Sequence, residues 1–197
     1  MVTEAEQQEV ITMRDLIVTQ NITLDGVIEA TDGWFAPADT EDLEDLGEEI
    51  RRQREAADAF LVGRRTFEDM RGFWPLQTDD QTGITDYLNT VAKYVVSSTL
   101  QDPQWEPTTV LRGPVPVDIQ ALKEEQGKDI VATGSISLVH ELIAADLVDE
   151  YRLFVYPTVL GHGRRLFADD SATRQLSLVQ TLPFKSGIVL LRYRANY

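Results

Sequence analysis

Cysteine is missing from this chain. Its absence removes disulfides, thiolate nucleophiles and cysteine-based zinc or iron–sulfur sites together. Histidine is nearly missing: His140 and His162 are the two, and neither has a partner at a metal-ligand spacing, so no metal is expected. Lysine is scarce as well, supplying four of the 18 basic residues in a chain of net charge −15. That charge repels nucleic acid and anionic membrane surfaces wherever no basic patch overrides it, so neither partner is expected. No apolar run approaches the ~20 residues needed to cross a bilayer. The polar, acidic stretch Met1–Thr12 lacks the basic and apolar regions of a signal peptide, which points to a cytoplasmic protein with a disordered tail over residues 1–12. Neither a G-x-S-x-G elbow nor a phosphate-binding P-loop occurs, leaving hydrolase and NTPase readings without support.

What is present fits one α/β domain over residues 13–197, long enough for a substantial core. Strand signals fall at Leu16–Thr19, Ala59–Val62, Tyr94–Ser97, Thr109–Leu111, Ile130–Ala132, Tyr151–Tyr156, Leu176–Thr181 and Ile188–Arg194. Helical patterns occupy about Glu41–Asp58, Thr66–Met70, Thr85–Thr90, Val117–Gln126 and Ser135–Ala145. Strands alternating with helices predict a mostly parallel central sheet covered on both faces. The last two strands, joined through Leu182–Gly187, predict an antiparallel C-terminal hairpin at one edge.

The most informative stretch is Leu61-Val62-Gly63-Arg64-Arg65-Thr66-Phe67-Glu68. A buried strand ends at a glycine, two arginines follow, and Thr66 with Asp69 has the spacing of a capping box at a helix start. Free N–H groups and the positive dipole end would meet two guanidiniums there, a setting for a phosphate. The same spacing fits a solvated helix start whose arginines pair with neighbouring carboxylates. Ile130–Ser135 makes a second strand–Gly–helix turn, with Ser135 or Ser137 as the cap and the alternative of plain connection chemistry. Ser97-Ser98-Thr99 ends a strand in three hydroxyls, suited to ribose or phosphate or to a local turn. Asp25-Gly26 is a turn pair, and Trp34 and Trp74 offer faces for a flat ring or for the core. In the acidic helix, seven of the eleven residues from Asp39 to Glu49 are carboxylates. They read as a solvated face, with Glu48 and Glu49 the candidates for a pocket. The loop Pro157–Phe167 contains G-x-G but lacks the third glycine of a dinucleotide fingerprint.

The order Thr23-Leu24-Asp25-Gly26, Gly63–Glu68, Val96–Leu100 resembles the dihydrofolate-reductase-like superfamily. The run from Thr133-Gly134-Ser135 through Leu147–Tyr151 to Pro157–Phe167 narrows the resemblance to the RibD C-terminal reductase domain and its stand-alone bacterial relatives. What the resemblance implies is a three-layer fold and an NADPH-dependent reductase. Its substrate would be a small heterocycle of the 5-amino-6-(5-phosphoribosylamino)uracil type found in riboflavin biosynthesis. Dihydrofolate-reductase-type activity, or a non-catalytic nucleotide-binding protein on the same scaffold, is the alternative. The resemblance puts the cofactor on Gly63, Arg64, Arg65 and Thr66, on Ser97, Ser98 and Thr99, and on Thr133, Gly134, Ser135 and Ile136. Asp25 is the candidate catalytic residue, with Gly26, Trp34 and Trp74 on the substrate side. It also implies a homodimer, for which the residues themselves carry no signal.

Overall fold

In the second strand Ala59 and Leu61 pack into one apolar cluster while Phe60 and Val62 pack into another, and all four are buried. A strand has a side-chain period of two, so burial of both sets means cover on both faces of the sheet. The structure is a computed structural model and describes residues 13–35, 43–168 and 172–196. The expected tail at 1–12 and the start of the acidic helix lie outside the described residues.

In chain order the elements are β1 (Leu16–Thr23), α1 (Glu44–Glu55), β2 (Ala57–Gly63), α2 (Arg64–Phe73), α3 (Ile84–Thr90), β3 (Ala92–Val96), β4 (Thr108–Leu111), α4 (Val115–Glu124), β5 (Asp129–Ala132), α5 (Ile136–Ala144), β6 (Glu150–Tyr156), β7 (Leu176–Pro183) and β8 (Val189–Ala195). The eight strands form one sheet in the order β4-β3-β2-β5-β1-β6-β8-β7. Neighbours are parallel except where β8 meets β6 and β7, so the expected hairpin closes one edge. Ile119 and Leu122 of α4 and Val139 and Leu142 of α5 cover one face. Phe67 of α2, Leu88 of α3 and Leu46 of α1 cover the other.

Two helix starts depart from expectation, one in position and one in its capping bond. Helix α2 begins at Arg64, with Gly63 extended at the cap position (φ −79, ψ 156) and no side-chain cap. The strand runs straight into the helix, which leaves Thr66 inside the first turn, so the expected capping box with Asp69 does not form. Ser135 does occupy the cap position of α5, yet its hydroxyl caps nothing and instead meets Ser137 Oγ at 3.1 Å.

The site follows from one irregularity of the sheet. Strand β5 pairs with β1 only from Leu16↔Ile130 to Val18↔Ala132, whereas β1 continues along β6 as far as Thr23↔Tyr156. Beyond Val18 the β5 side of β1 is open. There β2 feeds α2 on one face and β5 feeds α5 on the other. Ligands of open α/β sheets collect at such a switch point, past the carboxyl ends of the strands.

Candidate active site

Two helix starts meet at the opening. The residues Gly63 to Thr66 of the β2–α2 junction and Ser135 to Leu138 of the β5–α5 junction line one cleft of about 830 Å³. The first N–H groups of a helix have no intrahelical partner, and neither helix uses a side chain to cap them. Closeness of the two junctions depends on glycine. A Cβ at position 63 would stand 2.4 Å from Ser135 Oγ, and the Gly63 N–H donates to the Gly134 carbonyl at 3.4 Å. Gly134 itself has φ +130 and lies against Thr66, where a Cβ would sit 3.4 Å from the threonine side chain.

Around these junctions stand the groups that an anion needs. Arg64 is exposed and pairs with Glu68 at 2.8 Å, so the solvated reading of this helix start holds in part. Arg65 is exposed and makes no ion pair among the described residues. Ser98 and Thr99 face the cleft from the end of β3. Ser97 is buried, and its hydroxyl accepts the N–H groups of Thr99 (3.2 Å) and Leu100 (3.0 Å), so its first task is the turn. Two buried polar atoms on residues of the same cleft, Gln20 Nε2 and Thr31 Oγ1, have no partner among the described residues. A buried unpaired donor or acceptor costs about 1–3 kcal/mol, and a bound ligand removes that cost. The cleft therefore offers hydrogen-bonding groups and guanidiniums to a polar ligand, beside the carboxylates of Glu29, Asp69 and Glu141 that also line it.

A second cavity of about 440 Å³ adjoins it, and Gln20, Ile28, Ala30 and Thr133 belong to the walls of both. Trp34, Phe35, Phe60, Trp74, Tyr87 and Phe154 are the aromatic residues of its wall. Flat apolar faces with a few polar groups suit a ring ligand. No Asp or Glu is among the described residues lining this chamber; its ionisable groups are Arg54 and Tyr87. Burial pushes the Tyr87 hydroxyl up to about 12, so it keeps its proton at neutral pH. Of the two candidate carboxylates, Glu48 is exposed. Glu49 is buried under α1, where Arg52 Nη2 and Gln53 Nε2 both donate to it at 2.7 Å, and it lines neither cavity.

Asp25 and Gly26 lie outside both cavities. The Asp25 carboxylate accepts from Thr23 Oγ1 (2.7 Å), Gly161 N (2.7 Å) and Leu160 N (3.2 Å). These bonds, the Thr23 hydroxyl first, hold it down at about 2. Gly26 takes φ +85 and its carbonyl accepts the Leu166 N–H at 3.0 Å. The Gly-rich loop thus has a structural occupation: it clamps the 24–30 segment, with Ile28 N donating to Arg164 O and Arg164 Nε to Glu29 Oε1. That segment carries Ile28 and Ala30 into the shared wall. His140 Nε2 meets the Arg165 carbonyl at 2.8 Å, a structural contact of the same clamp.

With this geometry in view, the comparisons with known proteins are specific. The RibD C-terminal domain profile matches residues 14–190. The chain belongs to that family. It is 31% identical over 188 residues to the uncharacterized protein YyaP of Bacillus subtilis (strain 168), spanning 93% of this chain and 96% of the relative. A putative riboflavin biosynthesis protein from Shewanella sp. PV-4 has a similar structure, with a TM-score of 0.71 at 19% identity over 93% of this chain and 99% of that one. A dihydrofolate reductase from Enterococcus faecalis complexed with NADP(H) and RAB-propyl gives 0.62 at 18% identity, over 93% and 97%. The fold is dihydrofolate-reductase-like, and this RibD C-terminal domain chain falls within a family of reductases.

Of the sequence-predicted cofactor residues, Gly63, Arg64, Arg65, Thr66, Ser97, Ser98, Thr99, Thr133, Ser135 and Ile136 all border the cleft, with Gly134 directly beneath. Trp34 and Trp74 share the chamber. Sequence reading missed Gln20 and Arg54. A glutamine inside the buried strand Leu16–Thr23 was a usable signal. Arg54, one of three arginines in a charged helix, gave none.

Proposed function

We propose that this RibD C-terminal domain protein is an NADPH-dependent reductase. In this reading the polar cleft takes the cofactor, and the aromatic chamber takes a flat heterocycle of the 5-amino-6-(5-phosphoribosylamino)uracil type. One observation carries the reading: two uncapped helix starts, two arginines and a hydroxyl-bearing strand end line a single cleft that shares four residues with an aromatic chamber. The family and the likeness to a dihydrofolate reductase complexed with NADP(H) support it.

The bound cofactor supplies the hydride. The chain supplies position and electrostatics. In this reading N–H groups of Arg64, Arg65, Ile136 and Ser137 would hold the linking phosphates, and the Arg64 and Arg65 guanidiniums the extra phosphate that distinguishes NADPH from NADH. Trp34, Trp74 and Phe60 hold the ring and exclude water from its faces. No carboxylic acid is among the described residues lining the chamber and Tyr87 holds its proton, so in this reading water supplies the proton that follows the hydride. This argues against a pterin that must be protonated by a buried acid. We further infer that the partners are small molecules and that the protein works in the cytoplasm.

A thermal shift with NADPH and with NADH tests the cofactor, and NADPH oxidation with a ribosylaminopyrimidinone and with dihydrofolate tests the substrate. Binding at a hundred times the dissociation constant stabilises by about 2.7 kcal/mol, an easily read shift. No shift at millimolar NADPH overturns the reductase reading. Turnover of dihydrofolate alone overturns the substrate class.

A further inference from the structure

Arg54 occupies the last turn of α1 and lines the chamber but not the cleft. Its Nη2 donates to the Thr82 carbonyl at 3.0 Å. Its Nε and Nη1 are buried and have no hydrogen-bond partner among the described residues. Its Cζ stands 5.8 Å from the centroid of the Tyr87 ring, and no ion pair holds it among the described residues. Burial lowers its pKa, opposed by the attraction of Tyr87, Asp80 and Glu55. Asp80 is already committed: its carboxylate accepts the N–H groups of Thr82 and Thr85, both at 2.8 Å. A guanidinium brings five donors in a planar fork, and burying it without a counter-ion is unfavourable. Native interiors satisfy such groups, so a group left over at a cavity wall points to what the cavity receives.

The residues shared with the cleft mark where the ring meets the cofactor. Arg54, Ile84 and Tyr87 line the chamber and not the cleft, so they are not among the residues that mark that junction.

We propose that Arg54 is the specificity-determining cation of the chamber, selecting flat rings that carry an anionic oxygen group. This rests on the chamber being the substrate site of the reductase reading. A bidentate fork on a carboxylate satisfies Nε and a terminal nitrogen together. A ring that binds as a cation meets the like charge of Arg54, with no carboxylate among the described lining residues to offset it, and is disfavoured.

The test uses the full chain, with and without saturating NADP⁺. Three probes are titrated by calorimetry and by the fluorescence of Trp34 and Trp74: uracil-6-carboxylate, its neutral isostere uracil-6-carboxamide, and 2,4-diaminopyrimidine. The wild type is expected to bind the carboxylate at least about tenfold more tightly than the carboxamide, as for one desolvated charge pair, and to bind the diaminopyrimidine least. Arg54→Met is expected to bring the two uracils within about twofold, and Arg54→Lys to restore part of the difference, because a lysine keeps the charge but not the fork. Equal affinity of the two uracils for the wild type overturns the proposal, including no detectable binding of either, and so does a preference that survives in Arg54→Met. The wild-type comparison decides even where a variant does not fold. Loss of the carboxylate preference with NADPH binding intact removes the assignment of Arg54 alone. Absent NADPH binding with the preference intact removes the reductase reading and leaves Arg54 as the recognition group of a different ligand.

Discussion

The cleft and the chamber share four residues and are built on opposite plans. The cleft is made of strand ends and helix starts, so its chemistry sits in short stretches of chain: Gly63–Thr66, Ser97–Thr99 and Thr133–Ser137. Backbone N–H groups do much of its work, and what they need from the sequence is glycine where two junctions touch. The chamber gathers side chains from β1, α1, β2, α2, α3, β5 and β6 and from the 28–35 segment, which lie far apart in the chain, so its character comes from their assembly. A site made of backbone is robust to most side-chain changes and sensitive to a few backbone-governed ones. A site made of side chains is the reverse, and substitutions should separate the two.

The largest separation is expected for Arg64→Ala/Arg65→Ala. Each charge-assisted bond to a phosphate is worth about 1.5–3 kcal/mol, and both arginines are exposed, with Arg64 also pre-paired to Glu68. We expect NADPH to lose roughly 2–3 kcal/mol, about 30- to 150-fold, with NADH and chamber ligands nearly unchanged. Calorimetric titration of both nucleotides checks it. A preference for NADPH that survives puts the distinguishing phosphate elsewhere.

Gly63→Ala should come next, and it attacks the backbone plan. Its Cβ would stand 2.4 Å from Ser135 Oγ and 3.4 Å from Ser135 N, so the junctions must separate at a cost of about 1–3 kcal/mol. Urea unfolding reads the loss, and weaker NADPH binding accompanies it. Adding Ser135→Gly removes the side-chain part of the clash, so the double variant should recover part of the stability, a coupling that a mutant cycle measures.

Trp74→Ala tests the side-chain plan with a smaller effect. Removing one ring face from the chamber should weaken ring ligands by about 0.5–1.5 kcal/mol beyond lost area, while NADPH binding stays within error. Competition binding separates the two. An equal loss for both ligands means the cavities form one site.

This contrast also explains what the sequence could reveal. The eight strands were legible because covered strands such as Ala59–Val62 are continuously apolar and turns such as Leu182–Gly187 are marked. The start of α2 was misplaced by two residues, since a glycine cap without a side-chain bond leaves no polar signature, and Thr66 offered a false one. The cleft was legible because its segments are contiguous. The unpaired donors of Arg54 arise from packing between α1 and α3 and have no local trace. Asp25 shows the opposite case. Its place in a recognisable run suggested chemistry, whereas the structure spends its oxygens on Thr23, Leu160 and Gly161.

Asp25→Asn therefore gives the subtlest prediction, because the residue touches neither cavity. In the folded protein its pKa is lowered from 3.8 to about 2, chiefly by the Thr23 hydroxyl and then by the Gly161 N–H. A carboxyl whose folded pKa lies below its unfolded value stabilises the clamp fully above the unfolded pKa and loses that effect as pH falls through the folded one. Protection of the Leu160 and Gly161 amides against hydrogen exchange should hold at neutral pH and decline from about pH 4 toward 2. The asparagine variant keeps one accepting oxygen, so it should show partial loss of this protection at neutral pH and a flat response to acid. General acid–base groups contribute about 10²–10⁴ in rate, whereas a clamp acting through Ile28 and Ala30 should leave NADPH oxidation within about threefold. If oxidation collapses in Asp25→Asn while both amides stay protected, Asp25 acts in the chemistry after all, and the division between a backbone-built cleft and a side-chain-built chamber must admit a third participant.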